Sequence, residues 1–230
     1  MKATVVGAGG LGGPLALALG AAGVELVIVD PDIVEVSNLH RQIHFTAADV
    51  GTAKATTLAT RVGGRAKGYQ LRWLAEDADD ISGDSDLIVD GSDDPATKFA
   101  VSDWAVARGK PYVIAAALRF GGNVLVGAPG TACYRCLFEE PVAADTCDAA
   151  GVLGPVVGAI GGIAAALALA AARDEASRAG DLLTRGARDG VRGNLGALYA
   201  FDDLRASPDP RVVRFSPRAG CPACAQRKAT

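Results

Sequence analysis

The sequence predicts an α/β protein with a doubly wound, mainly parallel sheet and an antiparallel extension toward its C-terminal end. Three observations support this fold class. Short apolar segments of strand length alternate with helical segments along the first half of the chain. A glycine-rich turn joins the first strand to the first helix, and two strands end in acidic residues, Asp30 and Asp90. This alternation favours a parallel sheet with helices on both faces, and such sheets bind ligands beyond the carboxyl ends of their strands.

The first half of the chain alternates strands and helices. In chain order we expect a strand over Lys2–Val6, a helix over Leu11–Ala22, a strand over Val24–Val29, an extended loop over Pro31–Phe45, a helix over Ala47–Val62 with Thr46 as its N-cap, strands over Tyr69–Leu74 and Leu87–Asp90, and a helix over Pro95–Arg108. The last of these helices has a proline near its start, where the missing N–H group is tolerated.

The second half adds further strands and one long helix. In chain order we expect strands over Tyr112–Ala117 and Asn123–Gly127, an irregular segment over Ala132–Gly151, a long helix over Pro155–Ala176, a polar segment over Arg178–Asn194, and a hairpin of Ala197–Phe201 with Arg211–Phe215. A cysteine-rich tail follows the hairpin.

Composition and charge exclude several classes of protein. The chain has 230 residues, of which 50% are hydrophobic and 21% are charged, so it can bury a core and is not a disordered chain. Its net charge of −3 and its aromatic content of 5% argue against a nucleic-acid reader, which needs cationic patches or stacking surfaces. Five cysteines, an odd number, argue against a fully paired disulfide framework.

Two apolar stretches resemble export or membrane segments. Met1–Gly23 begins like a signal peptide, but its clustered glycines would destabilise a signal helix. Val152–Ala172 contains no charge and is long enough to cross a bilayer, yet it consists mostly of alanine and glycine and contains Pro155. We therefore expect a buried core helix, a cytoplasmic protein and no membrane partner.

The glycine-rich turn contains Gly7, Gly9, Gly10 and Gly12. Glycine lets the backbone turn tightly and approach a phosphate, and the N-terminus of the following helix presents free N–H groups to that phosphate. Asp30 ends the second strand, where its carboxylate can accept hydrogen bonds from ribose hydroxyls. The turn and the acid together predict a nucleotide site rather than a merely flexible turn, but they leave NAD, FAD and ATP open.

Six further motifs follow in a fixed order. They are Ser37-Asn-Leu-x-Arg-Gln42, Lys54 at 13 positions after the arginine, Asp90-Gly-Ser-Asp93-Asp94, Cys133-Tyr-Arg-Cys136, the segment Thr146-Cys-Asp-Ala-Ala-Gly-Val-Leu-Gly-Pro155, and Cys221-Pro-Ala-Cys224. In this order the motifs resemble the E1-like adenylyltransferase family, which includes the ThiF and MoeB proteins and is related to ubiquitin-activating enzymes. The resemblance implies one Rossmann-like adenylation domain over residues 1–230, with a nucleotide-binding half over 1–130 and a crossover segment, helix, hairpin and tail over 131–230.

The resemblance also implies roles for individual residues. Attack of a carboxylate on the α-phosphate of ATP brings two anions together, so the transition state needs cations and a metal. Arg41 would offer a planar fork to phosphate oxygens, Lys54 a point charge, and Asp93 a ligand for Mg²⁺. Asn38 and Gln42 would hydrogen-bond ribose or phosphate oxygens. Taken singly, the two cations could be solvated surface charges, and the aspartate could cap a helix.

The cysteines suggest a metal site and one remaining thiol. Cys133, Cys136, Cys221 and Cys224 form two Cys-x-x-Cys pairs, which together predict a tetrahedral zinc site. The alternatives are two redox pairs or four buried thiols, but a redox pair normally opens a helix, and we expect neither pair to do so. The family pattern makes Cys147 either a sulfur-linking cysteine or a dispensable one, and the alternative is a small half-buried apolar residue.

The resemblance implies adenylation, with ATP and Mg²⁺, of the C-terminal glycine carboxylate of a small β-grasp sulfur carrier that ends in Gly-Gly. Sulfur transfer from a separate donor protein would then give a thiocarboxylate. The sequence is closer to the thiamine type than to the molybdopterin type, and we expect a homodimer. In most family members an N-terminal arginine reaches the neighbouring subunit's ATP site. This chain begins directly in the first strand, so we expect that this arginine is dispensable, that another residue replaces it, or that the real start lies upstream.

Two other functions remain open from the sequence alone. An NAD- or FAD-dependent oxidoreductase could use the same glycine turn, but it would leave Arg41, Lys54 and the cysteines unexplained. A weakly catalytic partner subunit that binds a carrier is the second alternative. The two histidines, His40 and His44, form no His–carboxylate pair in the sequence that would suit hydride chemistry.

Overall fold

The computed structural model describes residues 1–141, 151–172 and 196–224. The strands within these ranges are β1 (Lys2–Val6), β2 (Glu25–Val29), β3 (Lys67–Tyr69), β4 (Leu87–Asp90), β5 (Tyr112–Leu118), β6 (Gly121–Gly127), β7 (Gly196–Phe201) and β8 (Arg211–Phe215). The helices are α1 (Gly12–Ala21), α2 (Lys54–Val62), α3 (Ala78–Ser82), α4 (Pro95–Arg108), α5 (Tyr134–Leu137) and α6 (Gly154–Ala172). Two short 3₁₀ turns cover Val36–Asn38 and Ala47–Asp49.

The eight strands form one mixed sheet in the order β3-β2-β1-β4-β5-β6-β7-β8. Strands β1 to β5 pair in parallel, and β5 to β8 pair antiparallel. Because β2 and β4 lie on opposite sides of β1, the chain direction across the sheet reverses at β1, and a crevice opens at the carboxyl ends of these strands. The predicted parallel sheet with an antiparallel C-terminal extension is confirmed.

Helices cover both faces of the sheet. Helices α1, α2 and α6 bury Leu15, Leu58 and Ile160 against one face. Helices α3 and α4 cover the other face, where Trp73 and Trp104 meet edge to face. This double covering explains why β1, β2 and β4 are buried over most of their length, whereas the edge strand β3 is partly exposed.

Helix α6 is the described part of the predicted long helix, and it begins at Gly154. Among the described helices it is the one long and apolar enough to cross a bilayer, but 56% of its most apolar window is buried in the protein. A Cβ atom on Gly161 would lie 2.6 Å from the carbonyl oxygen of Leu11, so α6 approaches α1 closely. This packing agrees with the predicted core helix, whose remaining residues lie outside the described ranges.

The predicted helix over Ala47–Val62 is wrong over the residues before Lys54, which would make up about two helical turns. Thr46 caps only the 3₁₀ turn, where its N–H donates to the Asp49 carboxylate at 2.6 Å. Gly51 then adopts a φ of +87°, which ends the turn, and α2 begins at Lys54. The interruption places Lys54 in the first turn of a new helix rather than in the middle of a longer one.

The predicted strand over Tyr69–Leu74 is also wrong, because β3 ends at Tyr69. The chain turns there and carries Trp73 beneath the sheet, where its Nε1 donates to the Ser82 hydroxyl at 3.0 Å. Burial of the indole therefore outweighs the strand propensity of this apolar and aromatic run. Helix α3, which supplies Ser82, was not predicted.

A one-turn helix, α5, begins directly after Cys133, although we expected neither Cys-x-x-Cys pair to open a helix. The hydrogen bond from the Cys136 N–H to the Cys133 carbonyl oxygen, at 2.9 Å, draws the two cysteines to one side of this turn. Cys147 and the whole polar segment over Arg178–Asn194 lie outside the described residues.

Candidate nucleotide site

The turn after β1 requires glycine for steric reasons. Gly7 has a φ of +91°, and a Cβ atom there would lie 2.9 Å from the backbone nitrogen of Ser92. A Cβ atom on Gly12 would lie 1.8 Å from the carbonyl oxygen of Gly7. The turn therefore folds back on itself, so that α1 begins directly beneath it.

A cavity of about 200 Å³ lies beyond the carboxyl ends of β1, β2 and β4. Nine of the ten predicted nucleotide-binding residues line it, namely Gly7, Gly9, Gly10, Asp30, Asn38, Arg41, Gln42, Lys54 and Asp93. The tenth, Gly12, does not line the cavity, and its close contact with Gly7 explains its place in the motif. The fold thus brings together residues spread over most of the first half of the chain.

Asp30 lies at the end of β2 and is 6% exposed. Its Oδ2 accepts a hydrogen bond from the Ala8 N–H at 2.7 Å, and its Oδ1 accepts one from the Asp32 N–H at 2.8 Å. Burial raises the pKa of Asp30, and these two hydrogen bonds and the charge of Lys54 partly oppose the rise. Each oxygen keeps a free lone pair, so the carboxylate can accept a further hydrogen bond from a ligand hydroxyl.

The two predicted cations, Arg41 and Lys54, border the cavity. Lys54, the first residue of α2, is 6% exposed, and its Nζ lies 3.0 Å from the carboxylate of the more exposed Asp32. Arg41 is 9% exposed and lies in a tight turn, in which its N–H donates to the Asn38 carbonyl oxygen at 3.1 Å. Both cations lie in a site of restricted solvent, where their attraction for an anionic ligand is stronger than at an open surface.

The segment from Ser37 to Gln42 holds its own polar side chains together. Gln42 Nε2 donates to Asn38 Oδ1 at 2.9 Å, and Asn38 Nδ2 donates to the Ser37 hydroxyl at 2.8 Å. Gln42 Oε1 and the Ser92 hydroxyl are buried, and neither has a hydrogen-bond partner within the described residues. Since unpaired buried polar atoms are costly, their position at the cavity wall fits a polar ligand.

The adjacent acids Asp93 and Asp94 have different surroundings. Asp94 is the N-cap of α4, and its carboxylate accepts hydrogen bonds from the N–H groups of Ala96 at 3.2 Å and Thr97 at 3.1 Å. Burial acts to raise the pKa of Asp94, but hydrogen bonds from the Thr97 side chain and from these N–H groups outweigh burial and lower it. Asp93 is exposed, and within the described ranges no hydrogen bond or ion pair holds its carboxylate.

Sequence reasoning missed a buried ion pair beside the cavity. Lys98 Nζ lies 2.8 Å from Asp90 Oδ2, and the two side chains are 7% and 0% exposed. The same ammonium group donates to the carbonyl oxygens of Ser92 at 2.7 Å and Ala115 at 2.8 Å. Lys98 therefore fixes the loop that carries Asp93. The signal in the sequence that could have indicated this ion pair is the position of Lys98 among the apolar residues of α4.

Arg72 and Trp73 also line the cavity and were not predicted as site residues. They follow β3, where the chain crosses beneath the sheet rather than continuing as a strand. No local pattern in the sequence marks this crossing.

A second cavity, of about 670 Å³, adjoins the first. The two cavities share the lining residues Leu11, Ser92 and Asp93. The second cavity lies mainly over the antiparallel strands, and its walls include Phe99 and Gly122. A molecule in the second cavity can therefore meet a molecule in the first at Asp93.

The four predicted cysteine ligands come together in one cluster, and none of them lines either of these two cavities. The Sγ–Sγ distances are 3.8 Å for Cys133–Cys136, 3.5 Å for Cys133–Cys221 and 3.3 Å for Cys136–Cys224. All four sulfur atoms lie within 4.8 Å of one another. This cluster could hold a metal ion and joins the C-terminal tail to α5.

The fold and the site together define a Rossmann-like α/β protein with a cavity suited to an anionic ligand. The sequence model of the ThiF family matches residues 1–198, so the chain belongs to the ThiF family. This membership confirms the family resemblance that the ordered motifs indicated.

Curated relatives carry related names. The sulfur carrier protein adenylyltransferase of Thermus thermophilus is 40% identical over 236 residues, which cover 96% of this chain and 80% of that protein. The adenylyltransferase and sulfurtransferase uba4 of Emericella nidulans is 37% identical over 242 residues, covering 97% of this chain and 48% of that protein. The adenylyltransferase and sulfurtransferase MOCS3 of Dictyostelium discoideum is 40% identical over 171 residues, covering 70% of this chain and 40% of that protein. The chain thus spans half or less of the last two relatives.

Solved structures of E. coli MccB share the fold. The structure with MccA-N7isoAsn superposes with a TM-score of 0.74 at 19% identity, covering 97% of this chain and 66% of that chain. The structure of MccB with ATP superposes with a TM-score of 0.70 at 19% identity and the same coverage. At this level of identity the likeness concerns the fold alone.

Proposed function

We propose that the protein is an ATP-dependent adenylyltransferase that activates the C-terminal glycine carboxylate of a small ubiquitin-like sulfur carrier ending in Gly-Gly. The observation that carries this proposal is the convergence of nine predicted nucleotide-binding residues on one cavity that meets a second cavity at Asp93. The names of the Thermus and Emericella relatives support this reaction class.

The first cavity would hold the nucleotide. The N–H groups of Gly9 and Gly10, at the start of α1, would face phosphate oxygens, as at other helix N-termini. Asp30 would accept hydrogen bonds from ribose hydroxyls through the lone pairs that Ala8 and Asp32 leave free. The unpaired Gln42 Oε1 would accept a further hydrogen bond from the nucleotide.

The chemical step would take place where the two cavities meet. A carboxylate oxygen of the carrier attacks the α-phosphorus, an O–P bond forms, and the bond from that phosphorus to the bridging oxygen of pyrophosphate breaks. The product is an acyl-adenylate. Arg41 and Lys54 would stabilise the charge on the transferring phosphate. The unconstrained Asp93 carboxylate suits Mg²⁺, which prefers carboxylate and phosphate oxygens and would neutralise the leaving pyrophosphate when bound.

The second cavity would admit the carrier's C-terminal tail. The described glycines of its wall, Gly121 and Gly122, have no side chains, so an extended peptide can pass close to the backbone of β6. A Cβ atom on Gly122 would lie 2.9 Å from the Ile160 side chain, so this wall cannot hold a larger residue without rearrangement. A tail of two glycines could lie against this glycine-containing wall, and it would deliver its carboxylate next to Asp93.

The four clustered cysteines would bind a structural zinc ion. A tetrahedron of thiolates about 2.3 Å from zinc has sulfur–sulfur edges of about 3.8 Å. The observed Sγ separations of 3.3, 3.5 and 3.8 Å are close to that edge and far from the length of a disulfide bond. The four ligands would close the coordination sphere, so this ion would stabilise the fold and take no part in the reaction.

Several further properties are part of the proposal. The protein would act in the cytoplasm as a homodimer formed from a single adenylation domain per chain. A separate protein would donate sulfur to the acyl-adenylate, and Cys147 would form the sulfur link. Within the family, the motifs around Gln42 and Gly154 favour the thiamine type over the molybdopterin type.

Exchange of radiolabelled pyrophosphate into ATP, measured with purified candidate carriers one at a time, tests the proposed reaction. We expect exchange with a carrier that ends in Gly-Gly, and mass spectrometry should detect its AMP adduct. The matched control is the same carrier without its last glycine, which should give neither signal. Tight ATP binding without exchange on any carrier would instead indicate a partner subunit, and a bound chromophoric redox cofactor would indicate an oxidoreductase.

A further inference from the structure

A buried histidine lies against the back of the glycine-rich turn. His44 is 6% exposed, and its Nε2 lies 3.0 Å from the carbonyl oxygen of Ala8. A carbonyl oxygen only accepts hydrogen bonds, so the ring carries its proton on Nε2 and donates it to Ala8. Burial lowers the pKa of His44 from 6.5 to about 4, which keeps the ring neutral near pH 7.

The position of this ring is fixed by its neighbours. A Cβ atom on Gly13 would lie 2.0 Å from the ring atom Cε1, so the imidazole fills the space that any larger residue would need. The Phe45 ring packs on its other side, with a centroid distance of 4.1 Å. No role for His44 was predicted from the sequence, and this residue does not line the nucleotide cavity.

The hydrogen bond to Ala8 determines where the next N–H group points. The chain contains no cis peptide bonds within the described residues, so the Ala8 C=O and the Gly9 N–H point in opposite directions across one planar peptide. Ala8 is fully buried, whereas Gly9 lines the nucleotide cavity. By holding the carbonyl oxygen on the buried side, His44 turns the Gly9 N–H toward the cavity.

The N–H group of Ala8 is also held by a hydrogen bond to a side chain. Its N–H donates to Asp30 Oδ2 at 2.7 Å, so both backbone polar groups of Ala8 are bonded to side chains. Within the described part of the chain, the Gly9 N–H itself donates no hydrogen bond. The Gly9 N–H is thus an oriented donor that can form a hydrogen bond with a phosphate oxygen bound at this turn.

We propose that His44 is a positioning residue that directs the Gly9 N–H at a phosphate group of the bound nucleotide. The proposal rests on the proposed function, because it requires a nucleotide in the first cavity. An apolar side chain of similar size would fill the same space but would leave the Ala8 carbonyl oxygen without a donor, and the peptide could then rotate.

Comparison of ATP with adenosine tests this role, since adenosine lacks the phosphates. In the His44→Phe variant we expect the dissociation constant for ATP, measured by calorimetry, to rise about tenfold, the range for one lost hydrogen bond to a charged group. The dissociation constant for adenosine should change less than about twofold. The His44→Gln variant keeps an N–H donor and should recover much of the ATP affinity. His40→Phe, at the exposed histidine, is the matched control and should bind both ligands normally.

A second measurement uses the wild-type protein, so that it does not depend on the folding of a variant. The amide resonance of Gly9 in a nitrogen–proton NMR spectrum should shift when ATP is added and stay in place when adenosine is added. If the Gly9 amide resonance does not shift when ATP is added, the proposal is overturned. Equal losses of ATP and adenosine affinity in His44→Phe would overturn it too, because they indicate a general structural role. Failure of the wild-type protein to bind ATP would refute the proposed function itself.

Discussion

At the scale of single residues, the adjacent acids Asp93 and Asp94 differ in their surroundings. The sequence alone left open whether such an acid binds a ligand or caps a helix. The Asp94 carboxylate accepts hydrogen bonds from two backbone N–H groups of α4, so it caps this helix, although Asp94 also lines the first cavity. Asp93 borders both cavities, and no hydrogen bond within the described residues holds its carboxylate. Asp94 is therefore the helix cap, and Asp93 is the acid to which we assign the proposed metal-binding role.

Substitution of these two acids should separate catalysis from stability. The Asp93→Asn variant should lower pyrophosphate exchange by about a hundredfold or more, because it removes a charge that acts in the transition state, while its unfolding free energy stays near that of the wild type. The Asp94→Ala variant should lose about 1 kcal/mol of unfolding free energy through the missing cap. Asp94→Asn, which retains a good cap, is the control. Exchange at the wild-type rate in Asp93→Asn would refute the metal-binding role.

His44 should make stability depend on pH. Its pKa is about 4 in the folded protein and 6.5 in the unfolded chain, so between these values the unfolded chain binds the extra proton. The contribution of neutral His44 to the unfolding free energy should therefore be complete above pH 6.5. It should be lost as the pH falls toward 4, which lowers the unfolding free energy by about 3 kcal/mol in all. Urea titrations of the wild type and His44→Phe at a series of pH values test this. If the two proteins show the same pH dependence over this range, His44 does not titrate as described.

Most of the predicted site residues belong to short local motifs, whereas Lys54 was identified by its distance of 13 positions from Arg41 and Asp30 by its place at the end of a strand. Arg41 and Gln42 fall in one motif, and the glycines of the turn in another. His44 and Lys98 act through distant partners, Ala8 and the pair Ser92 and Ala115, which only the folded chain brings near. No spacing rule along the sequence could have identified them.

At the scale of elements, α4 is attached to the sheet through the Lys98–Asp90 ion pair. The Lys98→Met variant removes the charge opposite a carboxylate that is 0% exposed, and it should cost about 3 kcal/mol of unfolding free energy. Combining Lys98→Met with Asp90→Asn should restore part of this loss, because no charge is then left unpaired. Denaturant unfolding of the wild type, the two single variants and the double variant measures the coupling. Additive losses would show that the two groups do not interact.

Elements with clear local boundaries were predicted accurately. The bounds of β1, β4, α4 and β8 agree with the prediction, and α4 has both an acidic cap with proline at its start and a glycine after its end. The predicted helix over Ala47–Val62 failed at its start because a single glycine can be accommodated within a helix, whereas Gly51 here adopts a φ of +87° that no helix allows. The β3 boundary failed because the long-range burial of Trp73 competes with local strand propensity.

At the scale of the whole molecule, the cysteine cluster ties the C-terminal tail to α5. The purified protein should contain one zinc ion per chain by atomic spectroscopy. The Cys221→Ser variant should lose this zinc and melt at a lower temperature, while its dissociation constant for ATP stays near the wild-type value because the cluster does not line the nucleotide cavity. Cys147→Ser is the control and should retain zinc. A metal-free wild-type protein of unchanged stability would rule out the zinc site.

The single sheet separates two tasks along its width. The segments that follow the parallel strands carry most of the residues that surround the first cavity, whereas the antiparallel strands form much of the second. Among the described residues, only Leu11, Ser92 and Asp93 border both cavities. If the proposed division of roles holds, substitutions in β6 to β8 would change which partner is accepted and leave the triphosphate site intact. The same fold could then acquire new protein substrates during evolution.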